Sequence, residues 1–411
     1  MQFEVEARKS RPRADSESGS RYLVLGDFGG RSTEPLTVDR DNIDDVLSRL
    51  EVKLAGLRLR EVEDFHPDNL YGRMDEFAGL RAGPGEEAAP ERPRSTPRAD
   101  IEEILRPSSL LEQITGGGDP FQQYVRDLAR AAAAPAKADD APRIAALGER
   151  MGALLHHPRF QALEAAWRGL DFVTRQADDE SAKIHVAQFS RADLVRDLAE
   201  TTNLRATRTY ALLHARQWRG VVGLYSFGSS AEDIELLGRI ALIASDAHAA
   251  FVAEGSVDMG EHWSELQKVS EADHLALALP RFLLRLPYGA KTSKIESFAF
   301  EEMPDVLKGS PPRHAEYLWG HPALAVLAVL VRMSEDEGQD TNLDLRGLPV
   351  HNYQQDGEWT MTPCAEVWMT EQHVRALIEM GMIPLVSFRD QDRVRVAGLR
   401  AITGGALPLG R

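Results

Sequence analysis

The chain has 411 residues, of which 43% are hydrophobic and 27% are charged, and its formal net charge is −16. This composition is typical of a soluble globular protein with room for two or three domains, and it argues against a chain dominated by disorder. The acidic balance argues against binding to duplex DNA or to an anionic membrane, because no run of Lys and Arg is long enough to overcome the repulsion.

Cysteine usage and the apolar runs predict the compartment. Cys364 is the single cysteine, which rules out an intramolecular disulfide and a thiolate metal cluster and favours a reducing environment. The first residues lack the basic start and apolar core of a signal peptide. The longest apolar run, residues 322–331, is about half as long as a bilayer span and is predicted to be a buried helix. We therefore expect a cytoplasmic protein.

Residues 1–81 are predicted to form a small N-terminal unit. Phe3 and Val5 alternate with polar residues as in a short strand, and residues 21–28 form the first convincing strand. Residues 41–50 are predicted to be helical because their apolar side chains recur at spacings of three and four. The unit is too small to be confidently stable alone.

The rest of the chain is predicted to be a mixed α/β (α+β) protein. Residues 82–99 form a linker rich in Gly, Pro and charged residues, and residues 100–142 form a helical segment. In residues 143–411 strands alternate with helices, which favours a mixed sheet flanked by helices. The predicted strands are 183–189, 220–227 and 274–279, the predicted helices are 233–251, 322–333 and 370–380, and a hairpin pairs 383–388 with 393–396.

The sequence predicts no catalytic residue, no cofactor and no metal. It contains neither HExxH, nor a cysteine-based zinc spacing, nor GxSxG. On a helix the adjacent His156 and His157 would point about 100° apart, so the histidines are expected to cap helices or bond to the backbone. Cys364 lies near His351, but its apolar surroundings favour a buried, inert thiol. An uncharacterised α/β hydrolase or metal enzyme stays as a remote alternative.

One stretch is unusual because two prolines bracket an apolar run that carries Arg281 and Arg285. Pro280 and Pro287 each lack a backbone donor, so they fit poorly inside a continuous helix or a central strand. We therefore expect a buried, irregular connection whose two guanidinium groups need partners.

This stretch, residues 279–289, closely resembles the large subunit of the type VI secretion contractile sheath (TssC/VipB/ImpC), as do the helix at 156–170 and the sequence Tyr317-Leu318-Trp319-Gly320. Further matching stretches occur in the family's order at 109–114, around 248, and at 298–302, 348–351 and 381–385. The resemblance covers most of the chain between about residues 108 and 388.

The N-terminal unit is similar instead to the start of the small sheath subunit (TssB/VipA/ImpB), through residues 25–28, 38–43 and 64–68. The chain therefore looks like both subunits joined in one polypeptide. It also departs from the family's pattern, because it reaches Arg411 soon after the last hairpin. Residues 143–411 are thus expected to lack the C-terminal part of the large subunit, which leaves filament formation open.

The resemblance implies a non-enzymatic, structural component of a contractile sheath that assembles by strand donation and interface packing. The implied partners are itself or other sheath subunits, the secretion tube protein (Hcp), baseplate proteins and a ClpV-type unfoldase, with no nucleic acid and no membrane. The alternative is a non-polymerising, sheath-derived adaptor, cap or baseplate-linking protein.

Twelve residues are candidates for interaction. Phe3 and Val5 would lie in a donated strand, with a frayed terminus or an edge strand of the same domain as the alternative. An apolar stripe that an unfoldase could grip, or that ordinary core packing would equally explain, consists of Ile104 and the four candidates Leu105, Leu110, Leu111 and Ile114. The other candidates come from the stretches that carry the resemblance, and they are Trp167, Arg168, Arg281, Arg285, Tyr288 and Trp319.

Overall fold

A computed structural model describes residues 19–31, 34–54, 56–81, 140–177, 180–199, 201–334 and 342–410. Its centre is a nine-stranded mixed sheet with helices on both faces, so the predicted α/β class is confirmed. The candidate arm and the apolar stripe before residue 140 lie outside the described residues, as do the linker and most of the predicted helical segment.

The strands are numbered in chain order. They are β1 (Ser20–Gly26), β2 (Leu36–Val38), β3 (Lys53–Leu54), β4 (Leu57–Arg58), β5 (Ala182–Gln188), β6 (Gly220–Ser226), β7 (Ala250–Glu254), β8 (Leu275–Leu279), β9 (Phe282–Leu283), β10 (Trp319–Gly320), β11 (Asp344–Leu345), β12 (His351–Gln355), β13 (Glu358–Thr362), β14 (Met382–Ser387) and β15 (Val394–Val396). The main sheet has the order β11-β15-β14-β8-β7-β6-β1-β5-β2.

The middle of this sheet is parallel and its margins are antiparallel. Strands β14, β8, β7, β6, β1 and β5 run parallel, whereas β15, β11 and β2 are antiparallel to their neighbours. Parallel strands are buried on both faces, which explains why all five residues of β8 are apolar and buried. Alternate residues of β1 enter opposite cores, Val24 on one face and Leu23 and Leu25 on the other.

The helices are also numbered in chain order. They are α1 (Ile43–Arg49), α2 (Pro67–Arg73), α3 (Ala78–Arg81), α4 (Asp140–Leu155), α5 (Pro158–Thr174), α6 (Arg191–Leu198), α7 (Arg208–His214), α8 (Ala231–Asp246), α9 (Trp263–Leu266), α10 (Pro322–Met333) and α11 (Glu371–Glu379). The core on one face contains α4, α5 and α10, and the core on the other contains α6 to α9. Helix α10 is buried from Pro322 to Val331, as its composition predicts.

Three helices begin at a His-Pro dipeptide, and the histidine caps the helix in each case. The Nδ1 atoms of His66, His157 and His321 accept hydrogen bonds from the backbone N–H two residues later, at 3.3, 3.2 and 3.3 Å. The following proline suits the first helical position because it has no N–H to satisfy. His157 and His321 thus act as caps, as expected, whereas His156 and His314 lie beside the carboxylates of Glu302 and Glu366 instead.

The N-terminal unit is built into the main sheet. Its strand β1 lies between β5 and β6 and pairs with both, from Ser20 to Gly26 along β5. Its helix α2 contacts the loop at residues 288–297. The division into 1–81, 82–99, 100–142 and 143–411 stays a prediction, and β1 shows that the described part of the first unit shares a sheet with the last.

Candidate interaction site

Arg285, inside the proline-bracketed stretch, lies at the centre of a buried charge cluster. Its Nε atom is 3.0 Å from Oε1 of Glu164 in α5, and its Nη1 atom is 2.8 Å from Oε2 of Glu302. Both carboxylate side chains are fully buried. The buried guanidinium group predicted from the sequence thus has two charged partners, one on each side.

Arg168 and Tyr288 complete this cluster. Arg168 Nε is 2.8 Å from Glu164 Oε1, and Arg168 Nη2 donates to the Tyr288 hydroxyl at 3.3 Å. The Arg285 guanidinium lies 4.3 Å from the centre of the Tyr288 ring, a cation–π contact. Two arginines and two glutamates therefore balance in charge, and three of the sequence-derived candidates meet at one place.

Glu302 keeps its charge in spite of burial. Burial alone would raise its pKa, but the charge of Arg285, the nearby His156 and hydrogen bonds from Arg285 and the Tyr288 backbone lower the pKa to about 2. Burial raises the pKa of Tyr288 to about 12, so the phenol stays protonated. A buried ion network contributes little net stability, but removing one member leaves an uncompensated charge. Its structural effect is to fix how α5 and the 285–302 segment sit together.

The N-terminal unit docks onto the same segment through residues 64–68, the stretch that resembles the small sheath subunit. The His66 ring packs edge-on against the Tyr288 ring, with centroids 5.0 Å apart. The Asp68 carboxylate accepts from the backbone N–H groups of Glu296 and Ser297 at 3.0 and 2.8 Å. Two stretches that carry the two halves of the resemblance thus contact each other directly.

Trp167 also joins the N-terminal unit to α5. It is completely buried, its Nε1–H donates to the Phe28 carbonyl at 3.1 Å, and the two rings lie 5.4 Å apart. This candidate therefore makes its contacts inside the chain.

Arg281 belongs to a second polar cluster at the carboxyl ends of β7 and β8. Its Nε–H donates to Glu366 at 3.0 Å, and His314 Nε2 lies 2.7 Å from the same carboxylate. Trp319, 8% exposed, stacks on the His314 ring with centroids 5.3 Å apart. Arg281 and Trp319 are thus connected through His314 and Glu366, at the border between the core and the surface.

Sequence reasoning missed the acidic partners of these arginines. Arg285 is 121 residues from Glu164 and 17 residues from Glu302, and Arg281 is 85 residues from Glu366, so no local spacing pointed to these pairs. A weak signal existed for Glu164, which is followed by Arg168 one helical turn later. Phe3, Val5, Leu105, Leu110, Leu111 and Ile114 lie outside the described residues, and their roles stay predictions.

The geometry around Cys364 is that of a structural thiol. Cys364 is fully buried, its Sγ is 3.6 Å from the Gln391 carbonyl, and burial raises the pKa of the thiol to about 12. His351 Nδ1 is instead 2.6 Å from the Tyr317 hydroxyl. Across the described ranges no three His, Cys, Asp or Glu side chains are arranged to hold a metal ion.

One sheet margin and several exposed apolar side chains are available for contacts. Among the described residues, strands β2 and β11 end the nine-stranded sheet. Thr37 of β2 is exposed, whereas β11 is buried, and Arg332 donates to its Asp344 carbonyl. Trp359, in the β12–β13 hairpin, is 73% exposed. Within the part of the chain that the structure describes, no helix is long and apolar enough to cross a membrane.

The structure is therefore that of an α/β protein whose charged clusters fasten its own segments together and whose main sheet has one exposed margin at β2. The family described as EvpB/VC_A0108, tail sheath N-terminal domain (VipB), matches residues 144–261 and 259–403. These matches cover more than half of the chain, which therefore belongs to this sheath family. The predicted relationship to the large sheath subunit is thereby confirmed.

A curated relative is the type VI secretion system sheath protein TssC1 of Pseudomonas aeruginosa. The two sequences are 28% identical over 305 residues, which is 63% of this chain and 60% of the relative. The aligned region thus spans less than two thirds of the relative's length.

Proposed function

We propose that this chain is a structural subunit of a type VI-like contractile sheath in which a small-subunit-like segment and a large-subunit-like domain are joined. The position of β1 is the observation that carries the proposal. The family match begins at residue 144, whereas β1 ends at Gly26. A strand from outside the matched region therefore fills the middle of a sheet whose other parallel strands lie within it.

Strand β1 is paired along both of its edges. Seven residues of β1 pair with β5, and four residues pair with β6. Without β1, both neighbours would present unpaired backbone groups in the middle of the core, and buried unpaired groups of this kind are rare in folded proteins. A domain made only of the matched region would need this strand from another chain. In this protein the strand comes from the same polypeptide, which supports the joined arrangement.

The contact between residues 64–68 and the 285–302 segment supports it further. Asp68, His66 and Tyr288 connect the N-terminal unit to the Arg285 cluster. The segment that resembles the small subunit is thus fastened at two places, by β1 in the sheet and by Asp68 at the surface.

Assembly would use the exposed β2 margin of the sheet. A donated strand can satisfy the unpaired groups of an edge such as β2, and the arm with Phe3 and Val5 is the proposed donor. The proposed partners are other copies of this chain or other sheath subunits in the cytoplasm. Further proposed partners are the tube protein, baseplate proteins and an unfoldase. A role of this kind requires no catalytic residue and no cofactor.

Negative-stain electron microscopy of the purified chain, alone and mixed with sheath subunits, tests the proposal. Long striated tubes in either sample are expected of a sheath subunit. Discrete particles that bind the ends of tubes would instead favour the adaptor or cap. A chain that stays monomeric and binds no sheath subunit in either sample would contradict the proposal.

The joined arrangement has its own test, in which residues 1–98 and 99–411 are produced together as two polypeptides. We expect them to copurify as a complex with the circular dichroism spectrum of the intact chain. The second piece alone should aggregate, because it lacks β1. A soluble, cooperatively folding second piece would show that β1 is dispensable and would refute this arrangement.

A further inference from the structure

One segment of this acidic chain contains no acidic residue. Residues 201–231 lack Asp and Glu but contain four arginines, at positions 205, 208, 216 and 219, in a chain with a net charge of −16. The segment includes α7 and the loops on both sides of it. Because the segment has arginines but no acidic residues, it concentrates positive charge on one part of the surface.

These arginines, together with Arg21 at the start of β1, form what we call the basic surface. Arg205 is 76% exposed, Arg208 and Arg216 are also exposed, and the backbone N–H of Arg219 donates to the Arg21 carbonyl. Two described carboxylates contact this surface: Asp246, 3.9 Å from Arg205 Nη2, and Asp197, which accepts from the Arg208 backbone. Arg21 and Arg208 also have other partners.

The positive charge of this surface affects the pKa of the buried His185. Burial first, and then the charges of Arg216 and Arg21, lower the pKa of His185 to about 4. His185 lies in β5 beneath the loop that carries Trp218, with the two rings 5.1 Å apart. Arg216 and Arg21 thus act on His185 as positive charges.

An oppositely charged surface lies on the other side of α8, and we call residues 258–273 the acidic surface. It contains five carboxylates and one lysine. The exposed carboxylates are Asp258, Glu261, Glu265 and Asp273. Val257 and Val269 are 70% and 41% exposed beside them, so the surface combines negative charge with apolar area.

The outer ends of the two surfaces, at Arg208 and at Trp263, are too far apart to pair within one molecule. The basic surface lies over β5, since the Arg208 guanidinium is 5.4 Å from the centre of the Phe189 ring at the end of that strand. The acidic surface is fastened near β14, since Trp263 and Gln267 donate to the Met380 carbonyl. Five strand steps separate β5 from β14, which is about 24 Å at the usual strand spacing. This distance exceeds the Debye length of about 8 Å at physiological salt.

We propose that the basic surface of one copy docks on the acidic surface of a second copy. The partner is another copy of this chain because each molecule carries both the basic and the acidic surface. The two surfaces lie on the same face of the main sheet, on opposite sides of α8. Such a contact is heterologous, so its repetition produces a ring or a helical array. The inference rests on the proposed function, since it names one interface of that assembly.

Charge in this contact sets orientation and association rate more than strength. Exposed ion pairs are individually weak, whereas complementary potentials steer encounter and exclude wrong partners. Burial of Val257 and Val269 adds apolar area to the contact. Assembly is therefore expected to weaken strongly as salt rises.

Charge-swap mixing of the full-length chain tests this inference. One variant carries Arg205→Glu and Arg216→Glu, and the other carries Glu261→Arg and Glu265→Arg. Each variant alone presents like charges at the contact, so we expect its self-association to be at least about tenfold weaker than that of the native chain. An equal mixture of the two restores complementary contacts in both directions and should assemble again.

The control is the variant Lys291→Glu and Lys294→Glu. It has the same change in net charge as the first variant, and its two positions are exposed on the loop near Asp68, away from both surfaces. Self-association is measured by sedimentation velocity at about 0.05 and 0.5 M salt, with circular dichroism to verify folding. The control should assemble like the native chain at both salt concentrations.

The outcomes separate this inference from the proposed function. If the native chain assembles and both charge-reversed variants assemble equally well, the interface is wrong and the sheath role stands. If each variant is weakened but their mixture is not restored, the pairing of these two surfaces is wrong. If the native chain stays monomeric at low salt and also binds no sheath subunit, the proposed function and this inference both fail.

Discussion

The carboxylate of Asp68 accepts hydrogen bonds from both the backbone N–H and the hydroxyl of Ser297, at 2.8 and 2.6 Å, across 229 residues of sequence. It also accepts from the backbone N–H of Glu296. A single side chain of the N-terminal unit thus satisfies three donors of the 288–302 loop. This contact fixes α2 beside the Arg285 cluster.

Replacement of Asp68 by Ala is therefore expected to lower the free energy of unfolding by about 2 kcal/mol, because three hydrogen bonds to a charged acceptor are lost together. Asp68→Asn keeps one oxygen and should cost about half as much. Urea denaturation measures both. Asp305→Ala is a matched control, since Asp305 pairs only with the exposed Lys308 three residues later, and should leave the midpoint unchanged. Equal effects at both positions would contradict the anchoring role of Asp68.

Arg285→Met should be more damaging, with an expected loss of about 3–5 kcal/mol, because Glu164 and Glu302 would remain buried without their shared cation. Neutralising the carboxylates in the same chain, with Glu164→Gln and Glu302→Gln, should recover most of this loss. Chemical denaturation of the single, double and triple variants gives the coupling free energy between Arg285 and the two glutamates. A triple variant that is no more stable than Arg285→Met would mean that the arginine acts through packing alone.

Acid should weaken the fold through Glu302. Its pKa is lowered to about 2 in the folded state from the ordinary value of 4.5, so the folded state binds its proton less readily than the unfolded state. The stabilisation is therefore fully present above pH 4.5 and is lost as the pH falls toward about 2. Thermal unfolding between those pH values should show a shallower slope for Glu302→Gln than for the native chain. Identical slopes would rule out Glu302 as a source of acid sensitivity.

The sequence predicted the local elements well but not their partners. Apolar periodicity placed α10 and the 383–388/393–396 hairpin close to their observed bounds. The predicted helix over 233–251 was too long, since α8 ends at Asp246 and Phe251 lies in β7. Its apolar pattern continues past the true end, while His248, with φ of 52°, breaks the helix.

The central position of β1 could not be read from its own residues. A seven-residue strand with five buried residues is compatible with several places in a sheet, and the order of strands depends on contacts between distant segments. The same limit applied to the charge clusters. The need of Arg281 and Arg285 for partners was evident from their apolar surroundings, whereas the identity of Glu366 and Glu302 required the folded chain.

Gly381 allows a separate test of backbone conformation. Its φ is +78°, and a Cβ atom there would overlap the carbonyl oxygen of Ile402. Gly357 has a similar φ of +84° but open space around it. We expect Gly357→Ala to cost about 1 kcal/mol through the left-handed conformation alone. Gly381→Ala should cost at least about 3 kcal/mol, because overlap adds to strain. If the Gly381→Ala and Gly357→Ala variants have equal urea midpoints, the chain around Ile402 can move to make room for the added methyl group.

The thiol of Cys364 offers a direct test against the enzyme alternative. Burial raises its pKa to about 12, and Sγ faces the Gln391 carbonyl at 3.6 Å, so almost no thiolate exists near neutral pH. Iodoacetamide at about pH 8 should leave the folded chain unmodified over a period in which the guanidinium-unfolded chain is fully alkylated. Mass spectrometry of the intact protein measures this. Rapid alkylation of the folded chain, with a pH profile that indicates a lowered pKa, would instead identify an activated nucleophile and favour a catalytic role.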